Sequence, residues 1–208
     1  LDCASTYCSR FLAVGRDYFW GTCSAQLLRT QSLDLPITAP QMATATTSYK
    51  IRIMKEDFKF NASHFVAYEG FREKLHGHNY QVGLQLWARQ VAADGYVVDF
   101  GDIKQVIRSE CKRLHERFLS PANSNVLTFT KPDQQLCIEC EDGSHFSFPC
   151  ADCVELPIVH TTVEELAQYF YTRLHEALGD TFAARGVYKL EVIVSEAPGQ
   201  EASFIQEF

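Results

Sequence analysis

The chain has 208 residues, 46% of them hydrophobic and 22% charged, with a formal net charge of −7. That composition supports one domain with a packed core and excludes a chain that is disordered by composition. The acidic balance argues against a nucleic-acid footprint, and no apolar run reaches transmembrane length. The eight cysteines follow no convincing secretory signal, so a disulfide scaffold is not expected and the cytoplasm is the expected compartment.

Residues 1–47 mix aromatic, serine and cysteine residues without a sustained period, and are expected to be an N-terminal extension with little order. Met42 offers an internal start. A targeting segment is the other option, with Arg10, Arg16 and Arg29 set against Asp2, Asp17 and Asp34. Residues 48–208 are expected to form the folded domain.

Tyr49 to Val66 reads as a long strand. Ile51 and Ile53 alternate with charge, and Phe58 and Phe60 resume the alternation one position out of step, which predicts a bulge near Lys55-Glu56. Ala67 to Leu75 reads as a loop and Asn79 to Arg89 as a second strand. A helix is expected from about Ile103 to Leu119, capped by Asp102, with Ile103, Val106, Ile107, Cys111, Leu114 and Phe118 on one face. A second is expected from Val163 to about Leu178, capped by Thr161 or Thr162 and ended by Gly179. Tyr188 to Glu196 and Ser203 to Phe208 complete an α+β order with helices on one sheet face.

Between the helices, about 120–158, lies an insertion. CIECEDGSHFSFPC predicts a hairpin turning at Asp142-Gly143. Cys137, Cys140, Cys150 and Cys153 have the spacing of a zinc ribbon. Alternation along the first arm puts Cys137 and Cys140 on opposite faces, however, so the hairpin is expected to hold no tightly bound metal.

The chemistry concentrates in FNASHFVAYEGFREKLHGHNYQV, Phe60 to Val82. His76 and His78, two apart on a strand, project to one face. If the strands pair, His64 joins them. Three neutral imidazoles with an open position suit a catalytic zinc. A single histidine on an apolar face is otherwise an ordinary core residue, and an HxH is common by chance.

FNASHF followed by LHGHNYQV resembles the 6-pyruvoyl-tetrahydropterin synthase family, which includes the bacterial carboxy-tetrahydropterin synthases. The resemblance runs from about Lys50 to the C-terminus. It implies the tunnelling fold, an antiparallel four-stranded sheet with two helices on one face (ββααββ), here with the insertion between the helices. It implies one catalytic Zn²⁺ per chain on His64, His76 and His78, a pterin triphosphate substrate, and a homo-oligomer, commonly a hexamer of two trimers with sites at subunit interfaces.

The family's pyruvoyl-forming members carry a catalytic cysteine shortly before the HxH. Ala67 to Leu75 contains none, but it offers Glu69 and Glu73. The GFRE-x-LHGHNY arrangement resembles the type III branch of apicomplexan parasites and some bacteria, as does the insertion ending SFP…DC…LPI. In that branch a glutamate replaces the cysteine and the side chain is cleaved to give 6-hydroxymethyl-7,8-dihydropterin. The resemblance matches that glutamate to Glu73, with Glu69 in reserve. It matches Glu196 to the residue that reads the pterin edge and Thr162 to a pocket residue. The family's Asp-His pair meets His115-Glu116 here, in reversed order, which leaves His115 as the candidate proton relay. Lys74 and Lys104 are candidates for the triphosphate by charge alone. A pyruvoyl-forming or carboxy-tetrahydropterin synthase, and a zinc-binding homologue without activity, are the alternatives.

Overall fold

The computed structural model describes residues 47–208. The N-terminal extension expected over residues 1–47 lies outside them, apart from Thr47. In chain order the elements are β1 (Tyr49–His64), β2 (Ala67–Tyr68), β3 (Phe71–Arg72), β4 (His76–Ala88), α1 (Phe100–Leu114) and β5 (Arg117–Pro121). There follow β6 (Leu127–Thr130), β7 (Gln135–Cys140), β8 (His145–Pro149), β9 (Cys153–Leu156), α2 (Val163–Ala184), β10 (Val187–Ala197) and β11 (Gln200–Glu207).

The main sheet has six strands in the order β11-β10-β4-β1-β5-β9, not the expected four. The first four are antiparallel, as expected, whereas β5 runs parallel to β1 and β9 parallel to β5. The additional strands stand at the two ends of the insertion, whose middle three strands, β6-β7-β8, form a separate sheet around the predicted hairpin.

Apolar faces of both helices pack on the main sheet. Phe58, Phe60, Leu84, Leu86, Ile107 and Phe170 are among the buried residues of this core. Full burial of each such side chain stabilises the fold by about 1.5–3 kcal/mol. A second, smaller core joins the insertion to the sheet through Phe65, Phe118, Leu136 and Ile138. No helix among the described residues is long and apolar enough to cross a membrane.

The bulge falls where the alternation breaks. Met54 pairs with Gly83 and Lys59 with Gln81, so five steps along β1 match two along β4. Three extra residues, an odd number, invert the parity of the strand. Ile53 faces the core before the bulge. Phe58, Phe60, Ala62 and His64 face it afterwards.

Both helices differ from expectation at their ends. Asp99, not Asp102, caps α1 and accepts from the Gly101 N–H at 2.7 Å. The helix stops at Leu114, because Glu116 takes a φ of 56° and the chain turns into β5. Phe118 is buried in the smaller core as part of β5, not on the helical stripe. α2 continues through Gly179 to Ala184, with the His175 ring against the glycine. Thr162 is its cap.

Candidate metal centre and its acidic loop

Strand pairing assembles the three histidines. His64 lies opposite His76, and Ala62 opposite His78. The ring centroids are 4.6 Å apart for His64–His76, 5.2 Å for His64–His78 and 4.9 Å for His76–His78. One nitrogen from each lies within 4.8 Å of the other two. Among the described residues this is the one group of three such donors close enough to share an ion, and the four insertion cysteines form none. Gly77, between the two β4 histidines, leaves room for the neighbouring strand, because a Cβ there would lie 2.9 Å from the Ala62 carbonyl oxygen.

Hydrogen bonds select the tautomers. Thr161 is fully buried, and its hydroxyl donates to the Phe65 carbonyl at 3.0 Å. Its oxygen then accepts from His64 Nδ1 at 3.2 Å. The proton therefore sits on Nδ1 and the Nε2 lone pair is free. That Nε2 is buried and has no partner among the described residues. His76 Nδ1 likewise donates to the Lys74 carbonyl at 2.7 Å. Outer hydrogen bonds of this kind orient metal-binding imidazoles. An orphaned buried nitrogen costs free energy unless a ligand completes it, so the trio fits a bound cation. Burial, then the neighbouring His76 and His78 charges, lower the His64 pKa from 6.5 to about 4. The ring is thus neutral at physiological pH, the form a metal requires.

Two carboxylates approach the trio. Glu73 Oε2 is 4.0 Å from His76 Nε2, and Glu196 Oε2 is 3.8 Å from His78 Nε2. Glu73 is fixed by a reciprocal pair: Val66 N–H donates to its carboxylate at 3.0 Å, and its own N–H donates to the Val66 carbonyl at 2.9 Å. Glu196 and His78 line a cavity of about 650 Å³ with Gln81 and Pro198. The Tyr80 hydroxyl, next along the same face of β4, is also buried without a partner among the described residues. Burial, then Glu196 and Glu73, push its pKa up.

The other expected residues are dispersed. The hydroxyl that touches the trio belongs to Thr161, while Thr162 is occupied in capping α2, accepting from the Glu165 N–H at 3.4 Å. His115 does not join the trio within the chain. Its Nδ1 accepts from the Asn61 N–H at 3.3 Å, at the edge of β1, and its Nε2 faces Glu116 at 4.0 Å. Glu69 is exposed in the small hairpin, and Lys104 sits over the Phe100 ring on α1. Sequence reasoning missed Thr161, whose only signal was a second threonine before VEEL.

Residues 52–207 match the family model for 6-pyruvoyl tetrahydropterin synthase. Among similar structures is a Plasmodium vivax 6-pyruvoyltetrahydropterin synthase in which a catalytic glutamate is replaced by cysteine. It is 39% identical, with a TM-score of 0.75, and the match covers 78% of this chain and 99% of that one. The Plasmodium falciparum 6-pyruvoyl tetrahydropterin synthase is 40% identical, with a TM-score of 0.75, over 77% of this chain and 99% of that one. A Methanocaldococcus jannaschii protein, provisionally named a 6-carboxy-5,6,7,8-tetrahydropterin synthase, is 28% identical over 146 residues, 70% of this chain and 88% of its own. The Plasmodium structures are similar to this chain in overall fold. Similarity of that extent makes this chain a member of the 6-pyruvoyl tetrahydropterin synthase family and one of its enzymes.

Proposed function

We propose that the chain is a zinc-dependent lyase of the type III branch, converting 7,8-dihydroneopterin triphosphate to 6-hydroxymethyl-7,8-dihydropterin, a folate precursor. The observation that carries this reading is Glu73, a carboxylate 4.0 Å from His76 in a loop without cysteine. The Plasmodium vivax variants, in which a catalytic glutamate is changed to cysteine or alanine, support it by analogy.

His64, His76 and His78 would hold one zinc ion per chain, which would polarise the hydroxyls of the substrate side chain and lower their pKa. Glu73 takes the proton of the second side-chain hydroxyl. The bond between the first and second side-chain carbons then breaks, its electron pair passing to the first carbon and into the dihydropterin ring. The second carbon becomes the carbonyl of an aldehyde that departs with the triphosphate. Glu73 returns the proton to the first carbon, completing the hydroxymethyl product. One carboxylate can serve both steps, as base in the first and as acid in the second. Glu196 would accept two hydrogen bonds from the amino-pyrimidine edge of the pterin, with Thr162 beside it by family pattern. His115, whose polar contacts are with Asn61 and Glu116, would act as relay in the site of a neighbouring subunit.

Assembly into a homo-oligomer, a hexamer of two trimers by resemblance, belongs to the same proposal. It is supported by two open strand edges among the described residues: β11 pairs only with β10, and residues 49–54 of β1 pair only with β4. The partner is a small molecule in the cytoplasm, with no role for nucleic acid or membrane.

The names of the Plasmodium relatives favour a second reading, a pyruvoyl-forming synthase. One experiment separates the two. Zinc-loaded protein is incubated with 7,8-dihydroneopterin triphosphate and the pterins are resolved chromatographically. The hydroxymethyl product is expected. Formation of the pyruvoyl product alone overturns the choice of branch.

A further inference from the structure

The insertion touches the Glu73 loop at its tip. Arg72, the residue before Glu73, donates from Nε to Asp142 Oδ2 at 2.9 Å and from Nη2 to Ser144 Oγ at 3.0 Å. Its third nitrogen, Nη1, donates to the Glu73 carbonyl at 2.7 Å. The guanidinium lies over the Phe65 and Phe146 rings, 5.9 and 5.4 Å from their centroids. On the far side of the small hairpin, the Gly70 N–H donates to Glu141 Oε2 at 3.1 Å. Arg72 is only 18% exposed, so its rigid fork works largely out of water.

We propose that the tip of the insertion, Glu141 to Ser144, clamps the loop that carries Glu73, making Arg72 and Asp142 positioning residues for that carboxylate. The inference rests on Glu73 being the base. A lone surface ion pair would hold nothing firmly. Here one guanidinium joins three acceptors and two rings and ends on the backbone of the residue it positions. The base of the clamp is rigid, because Phe146 stacks on Phe65, the residue after His64, at 4.9 Å. Asp142 supports the same arrangement: Arg72, more than any other neighbour, lowers its pKa to about 2, so the pair stays charged at every working pH. The insertion thus sets the distance between Glu73 and the histidines from 70 residues away in sequence.

The test uses the full zinc-loaded chain with Arg72→Ala, Asp142→Ala and Glu141→Gln, each alone and combined with Glu73→Gln. A misplaced base costs up to about 100-fold. Arg72→Ala and Asp142→Ala should lower kcat by about 10- to 100-fold while KM and zinc content hold, and should add nothing in the Glu73→Gln background. Hydrogen exchange at the Gly70 and Glu73 amides should quicken in Asp142→Ala, a tip variant outside both cores, while β4 and α2 amides stay as they were. Equal losses of kcat in both backgrounds, or unchanged loop exchange, overturn the clamp. If the wild type does not cleave the substrate, the functional reading fails, and the exchange result still decides whether the tip holds the loop.

Discussion

Thr161→Val tests the metal centre at its least visible support. Valine matches threonine in shape, so no cavity opens. What is lost is one oxygen that accepts from His64 Nδ1 at 3.2 Å and donates to the Phe65 carbonyl at 3.0 Å. Both partners are left in a site where His64 is 2% exposed. Each stranded buried group costs about 1–3 kcal/mol, so the metal-free protein should lose at least about 2 kcal/mol. The imidazole also loses its reason to keep the proton on Nδ1. Outer partners of metal-binding histidines are worth about 10- to 100-fold in affinity, or about 1.4–2.7 kcal/mol. Urea unfolding of the metal-free protein measures the first quantity, and zinc competition against a chelating indicator the second. Thr161→Ser should behave as wild type in both. If Thr161→Val binds zinc as tightly as wild type, the tautomer argument is wrong, whatever happens to stability.

Glu73→Gln should cut turnover by about 10²–10⁴-fold, the usual worth of a general base, with zinc content and pterin binding kept; near-normal cleavage would move the role to Glu69 or His115. His64→Ala should abolish a stoichiometry of one zinc per chain in elemental analysis, and zinc retained by the cysteines would refute the assignment. Stability of the metal-free protein should fall between pH 6.5 and 4, because the unfolded chain takes up a proton that folded His64 refuses. The span is worth up to about 3 kcal/mol by pH 4, read as the excess pH dependence of wild type over His64→Gln in urea titrations. Gly77→Ala must push β1 from β4, since its Cβ would meet the Ala62 carbonyl at 2.9 Å; about 1–3 kcal/mol of stability should go, with weaker zinc binding in the same competition assay.

The histidine strands were legible because their information is local. Alternation located the bulge, and i, i+2 spacing put His76 and His78 on one face. Other features depend on contacts far along the chain. Phe118 sits four residues after Leu114 and so imitates one more turn of helix, and Glu116 makes the left-handed turn without a glycine to announce it. β5 and β9 are short and pair with partners remote in sequence, Phe118 with Cys153. Thr161 and Thr162 have the same capping propensity. Which one caps is settled by His64 and Phe65, 97 and 96 residues away from Thr161. The grip of Arg72 on the insertion tip has no sequence signature either.

The bulge in β1 also works as an expansion joint. Before it stand Ile51 and the buried Ile53, beside an open strand edge; after it, Phe58, Phe60, Ala62 and His64 are all buried. Suppose one residue is lost between Met54 and Lys59. One half of the strand must then turn over, and the half with fewer buried side chains gives way first. Ile51 and Ile53 would go to solvent while His64 keeps its place opposite His76. A one-residue change of length at the bulge is thus absorbed by the half of β1 that precedes it, and His64 stays aligned with His76 and His78.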